Sequence, residues 1–356
     1  MKDARVEHAA KILVDYSTKI KKGDYVQINT AVEAQPLAIE CYKLAIQRGA
    51  YPRVFTALPG TTRAYYQYAS DDQLKKFPSV AMHEMEKTDA IISIGGSRNT
   101  RELTTIDPAR IALRQKTTKQ LSEEALKKRW VIFEYPTNAY AQEADMSLEE
   151  FEDFVFNATN VDWEKESKKQ DKLKRILDNA HKIRILGEDT DLRFSVRQRT
   201  AIKCDGTHNM PDGEVFVAPV EKSVNGKIAY TYPGIRGGRE VDGIKLEFKN
   251  GRVVKYSADK NESFLKAMIN TDKGAKYLGE FGIGVNYGIK KFIKSILFDE
   301  KIGGTVHLAL GMAYKEGGGR NESAIHWDMI KDLRHNGEII VDDTTIQKNG
   351  KFTFKL

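Results

Sequence analysis

The sequence predicts an α/β N-terminal domain built on a parallel sheet, followed by an α+β C-terminal domain rich in antiparallel strands that carries a metal site. Three observations lead there. Strand-like and helix-like runs alternate up to about residue 165. Beyond a charged helical run at 164–180, short alternating runs follow one another closely. The C-terminal strands also set a histidine two residues before an aspartate, in HWD at 326–328.

Residues 5–22 carry apolar side chains at helical spacing (Val6, Ala9, Ala10, Leu13, Val14), so a helix is expected until Gly23-Asp24. YVQIN (25–29) reads as a strand. PLAIECYKLAIQRG (36–49) reads as a helix, with Pro36 in its first turn and Gly49 as its stop. RVFTAL (53–58) completes a βαβ unit and implies parallel strands. AIISIGG (90–96) and WVIFEYP (130–136) extend that sheet as buried strands. Ser147 and Glu150 stand in capping-box positions at the head of SLEEFEDFVFNA (147–158). Gly95-Gly96-Ser97 lacks the spacing of either nucleotide phosphate loop, so a tight turn is expected.

A domain boundary is placed near 165, giving domains 1–165 and 166–356. The second contains KIRIL, DLRFSV, EVFVAP, KIAYTYP, GIKLEF and RVVKYSA as short strands. Asn250-Gly251 between two alternating runs predicts a hairpin. Helical pieces are expected near 261–270 and 288–298, and a last hairpin pairs EIIVDD with KFTFKL around Asn349-Gly350.

Composition narrows the function. The 356 residues, 40% hydrophobic and 30% charged, suit two folded domains. Two cysteines, Cys41 and Cys204, give neither a disulfide framework nor a CxxC site, which points to a reducing compartment. The start, MKDARVEHAAKILVDYS, has no apolar segment, and no run approaches the roughly 18 apolar residues a membrane helix needs. A cytoplasmic protein without a membrane partner is expected. The net charge of +7 is spread among acids, as in DWEKESKKQDKLKRILDNA (162–180), so no nucleic-acid partner is expected.

The chemistry concentrates in HLALGMAYKEGGGRNESAIHWDM (307–329), which holds two of the seven histidines. On a strand, His326 and Asp328 share a face, with Trp327 on the other. Imidazole and carboxylate at that spacing suit a divalent metal, although the pair alone is a weak signature. His307 joins them if its strand lies alongside. Glu214 precedes the apolar run VFVAP, and Glu280 lies in YLGEFGIGVN. A glutamate in such a run either faces solvent or is buried and paired. Five such groups exceed what one catalytic zinc needs, whereas two metals sharing a carboxylate would use them. Tyr314, seven residues after His307, is a candidate hydroxyl donor to an oxyanion, or else a packed strand-end tyrosine. His208 lies close to the Glu214 motif and is expected to support the site from outside.

NMPDGEVFVAP, YLGEFGIGVN, DEKIGGTVHLALGMAY and NESAIHWDM, in this order, resemble the thermophilic metallo-aminopeptidases of the aminopeptidase S and aminopeptidase T type. HAAKILVDYSTKIKKGDYVQINT is similar to their N-terminal domain, so the resemblance covers nearly the whole chain. It implies a hydrolase that removes the N-terminal residue of peptides by a hydroxide activated between two metals. It implies two divalent ions (zinc, cobalt, manganese or magnesium) held by Glu214, Glu280, His307, His326 and Asp328. Tyr314 falls on the family's catalytic tyrosine, and Glu280 is counted with it as catalytic. The substrates implied are peptides with a free N-terminus, and the assembly a homodimer with enclosed sites. The piece between His307 and His326 is compact, which bears on pocket shape. One rival is a mononuclear non-haem iron, ring-cleaving dioxygenase using His307, His326 and Asp328. A non-catalytic binding protein and a two-metal phosphoesterase are weaker rivals.

Overall fold

In a computed structural model, which describes residues 3–356, the chain divides into two compact units. One runs to Val161 and includes Gly206–Pro211; the other comprises Asp162–Asp205 and Asp212–Leu356.

The first unit is a parallel sheet. Its strands are β1 (Tyr25–Ala31), β2 (Tyr51–Ala57), β3 (Ala90–Gly95) and β4 (Arg129–Glu134). They stand in the order β2-β1-β3-β4, and the short strand Asn209–Met210 adds to β4. The crossovers are helical, including Gln35–Gln47 and Pro108–Ala125, as a parallel sheet requires. Ser147 and Glu150 make both halves of a capping box at the start of Leu148–Thr159. The helix expected over 5–22 is shorter. Ala4–Lys11 is α-helical, and Ile12–Ser17 widens into a π-helix. Ile12, Leu13 and Val14 are all buried. Three successive apolar side chains fan out less in the wider turn, and the Thr18 hydroxyl closes it on the Leu13 carbonyl at 2.7 Å.

The second unit opens with the charged helix Trp163–Asp178 and is otherwise mostly antiparallel strands. An eight-stranded sheet runs in the order Arg252–Ser257, Lys245–Lys249, Asn225–Ala229, Thr190–Ser195, Lys182–Gly187, Glu338–Val341, Thr344–Lys348 and Lys351–Phe352. A second sheet holds β5 (Ile202–Cys204), β6 (Glu214–Val217), β7 (Leu278–Gly284), β8 (Thr305–Gly311) and β9 (His326–Asp332), in the order β9-β8-β7-β6-β5. The two share one apolar core, and Phe194 of the first meets Phe281 of the second edge-to-face at 5.1 Å.

The hairpin at Asn250-Gly251 forms, with both residues at positive φ (52° and 85°). The C-terminal hairpin differs from expectation. Glu338–Val341 pairs with Thr344–Lys348, through Asp342-Asp343 at positive φ, and Asn349-Gly350 joins that strand to Lys351–Phe352. The polar TTIQK run hides the intervening strand. The helical piece expected at 288–298 is also overturned, since only Ile296–Asp299 is helical. Asp299 accepts the Ile293 amide at 2.8 Å, Asn286 accepts that of Gly288 at 3.0 Å, and Lys294 sits at φ 65°. Side chains that capture backbone amides displace the helical alternative. No helix among the described residues is long and apolar enough to cross a membrane.

Candidate metal centre

The five-stranded sheet has two chemically distinct faces. Val215, Val217, Phe281, Ile283, Val306, Leu308, Leu310, Trp327 and Met329 point into the core. The opposite face carries Glu214, Glu280, His307, His326 and Asp328, each set across from a glycine or alanine. Glu214 pairs with Gly284, His307 with Gly282, Glu280 and Asp328 with Ala309, and His326 with Gly311. The register of β7 slips between Leu278 and Glu280, so Leu278 stays with core-facing Leu310 while Glu280 turns to the polar face.

The imidazoles are held from behind. His307, fully buried, directs Nδ1 to the carbonyl oxygen of Glu300 at 3.0 Å, and His326 directs Nδ1 to that of Met312 at 2.8 Å. With Nδ1 donating, each Nε2 is presented to the carboxylates. His307 Nε2 lies 3.0 Å from Glu214 Oε2 and 3.1 Å from Glu280 Oε1. His326 Nε2 lies 3.3 Å from Asp328 Oδ2 and 3.7 Å from Glu280 Oε2. Glu280 thus turns one oxygen to each histidine. Among the described residues the donor atoms form four groups, each within 4.8 Å: Glu214–Glu280–His307 and Glu280–His326–Asp328, which share Glu280, and also Glu300–His307–Asp328 and Cys204–Asp212–Glu214.

Electrostatics mark the cluster as short of positive charge. Burial pushes the Glu280 carboxyl above its ordinary range. Burial acts the same way on Glu214, but Lys301 and His307 outweigh it and hold that carboxyl low. Burial opposes charging of His326, yet Asp328 and Glu280 push it up to about 9. His307 is raised well above the ordinary histidine value by Glu214 and Glu280, against burial. Glu280 Oε2 and Asp328 Oδ1 are buried without a hydrogen-bond partner. Such oxygens are costly unless a cation reaches them.

Sequence reasoning missed Glu300 and Lys301. The Lys301 side chain is fully buried; its Nζ pairs with Glu300 Oε1 and lies 3.7 Å from Glu214 Oε1. Burial raises the Glu300 carboxyl to about 8, with Lys301 opposing it. In DEKIGG these residues look like a solvated turn, and no local pattern marks them otherwise.

The sequence pattern of the thermophilic metalloprotease (M29) family matches residues 2–352. The chain belongs to this family. Aminopeptidase 2 of Geobacillus stearothermophilus is 27% identical over 99% of this chain and 99% of its own. The solved structure of wild-type AmpT from Thermus thermophilus superposes with a TM-score of 0.85 at 23% identity, covering 98% of this chain and 99% of that one. 2,5-Dihydroxypyridine dioxygenase from Pseudomonas putida KT2440 has a TM-score of 0.60 at 13% identity, covering 99% and 96%. Both structural likenesses are of fold.

For a metalloprotease the donor set fits a divalent cation. Buried carboxylate oxygens lack partners, and both imidazoles are fixed in the orientation that offers Nε2. Tyr314 stands beside this metalloprotease cluster, its ring 5.2 Å from that of His326 and 5.6 Å from that of Phe216. Burial, then the charges of Glu280 and Asp328, push its hydroxyl well above the ordinary tyrosine range. His208 belongs to the first unit, edge-on to Trp130 at 4.6 Å.

Proposed function

We propose that this metalloprotease is an aminopeptidase that holds two divalent ions and hydrolyses the N-terminal peptide bond of substrates with a free amino group. One observation carries the reading: Glu280 sits between His307 and His326 and completes a donor group with each. Glu214, Glu280 and His307 would hold one ion, and Glu280, His326 and Asp328 the other. The three carboxylates are divided between the two groups, with Glu280 common to both.

Bound in this way, the ions would supply Lewis-acid polarisation of the scissile carbonyl and an activated water. The chain's own residues do the rest. Tyr314 keeps its proton at neutral pH and can donate it in a hydrogen bond to the oxyanion. The rival dioxygenase reading uses only His307, His326 and Asp328 and leaves buried Glu214 and Glu280 without a role.

The same proposal extends to a cytoplasmic homodimer using zinc, cobalt, manganese or magnesium. Support for self-association comes from Tyr25, Ile39, Tyr42, Tyr51 and Val54, large apolar residues exposed on and beside edge strand β2. Light scattering on purified protein tests it; a monomer removes that part.

The deciding experiment combines metal analysis with hydrolysis of aminoacyl-p-nitroanilides and their N-acetylated forms, in wild type and Glu280→Gln. Two ions per chain are expected, with cleavage of free-amino substrates alone, lost in the variant. One iron per chain with oxygen uptake and no hydrolysis would overturn the proposal.

A further inference from the structure

A buried arginine paired with a half-buried glutamate contacts the loop that leaves Tyr314, and nothing above gives the pair a role. Arg199 is only 8% exposed. Its Nη2 donates to both oxygens of Glu221 at 2.8 Å, and its Nη1 donates to the carbonyl of Gly318. Glu221 Oε1 also accepts the backbone amide of Arg320 at 3.0 Å, and the amide of Thr200 donates to the Gly317 carbonyl at 3.1 Å. The turn is thereby gripped at 317, 318 and 320 by residues from the 199–221 segment.

The grip reaches Tyr314 through backbone. The Gly319 amide donates to the Tyr314 carbonyl at 3.1 Å. A β-carbon at Gly319 would stand 2.7 Å from that oxygen and 2.6 Å from the Ala313 Cβ, so the turn lies directly on the tyrosine backbone. Lys315, Glu316 and Arg320 are exposed and supply no apolar anchor. With Gly317 and Gly319 buried and no large apolar side chain of its own, such a loop takes much of its path from its hydrogen bonds. The charge-assisted contact of Arg199 Nη2 with both Glu221 oxygens is the strongest of these.

We propose that Arg199 and Glu221 are positioning residues for Tyr314: they clamp the Gly317–Arg320 turn and so fix where the tyrosine ring stands beside His326. The inference rests on the aminopeptidase reading in one respect, the role given to Tyr314. Catalytic groups lose efficiency steeply with small displacements, up to about a hundredfold for about 1 Å.

The test is a double-mutant cycle on metal-loaded enzyme with Arg199→Met, Tyr314→Phe and the pair combined, reading kcat, KM and bound metal. Arg199→Met is expected to lower kcat by about tenfold or more, with KM and metal content unchanged, and to cause no further loss when Tyr314 is already Phe. If Arg199→Met melts early by circular dichroism, Glu221→Gln carries the same cycle with a milder change. Unchanged kcat in both clamp variants, with a clear loss in Tyr314→Phe, overturns the clamp and leaves the tyrosine's role standing. Losses that add in the combined variant overturn it too. No loss in Tyr314→Phe removes the tyrosine's role first, and the clamp with it.

Discussion

Gly282 lies directly across from His307, and a β-carbon placed on it would stand 2.0 Å from the imidazole Cε1. The ring is fully buried and tied at Nδ1 to Glu300, so it has little room to retreat. Gly282→Ala is therefore expected to leave the sheet folded while driving His307 off Glu214 and Glu280. Metal analysis should show loss of at least one ion, with activity reduced by about a hundredfold or more. Full metal content in the alanine variant would mean that the ring has another way out.

The sharing of Glu280 makes a second prediction about which ions are lost. His326→Ala removes one donor from one group, so one ion per chain should remain. Glu280→Gln weakens both groups, so both ions should leave together on dialysis against a mild chelator. Equal losses in the two variants would contradict a bridge at Glu280.

Metal removal should also change the pH dependence of stability. In the metal-free protein His326 is raised to about 9, above the ordinary value of about 6.5. A group raised on folding contributes stability that is fully present below the unfolded pKa and lost as pH rises through the folded one. The metal-free protein should thus lose this contribution between about pH 6.5 and about 9, and His326→Ala should flatten that slope. Metal competes with the proton for Nε2, so uptake should strengthen over the same range and release protons. Thermal melts and metal titrations across pH read both effects.

The gathering of Glu214, Glu280, His307, His326 and Asp328 on one face was legible because its signals are local or recur as whole motifs. His326 and Asp328 declare a shared face by a spacing of two, and His307, Glu214 and Glu280 sit in glycine-rich apolar runs of strand length. The parallel half was legible from its alternation of strand and helix. What stayed hidden depends on contacts between distant residues. Glu300 and Lys301 look like a wet turn until β8 brings their backbone against His307. Arg199 and Glu221 acquire meaning only when the 317–320 turn folds onto them. The slip at Gly279 and the loop at 288–295 arise from pairing register and from side chains capturing backbone amides, neither of which a periodicity records.

Lys301 gives the last prediction. Its ammonium is buried among carboxylates, paired with Glu300 and 3.7 Å from Glu214. Lys301→Met keeps the length of the side chain but leaves those acids without their fixed cation. Breaking a buried pair by removing one partner costs about 3–5 kcal/mol, and the metal-free variant should melt correspondingly earlier. Added cobalt or zinc brings charge to the same cluster, so the variant's melting point should rise on metal addition by more than the wild type's. A rise equal in both proteins would mean that Lys301 and the ligand carboxylates do not share one electrostatic cluster, and that the lysine answers to Glu300 alone.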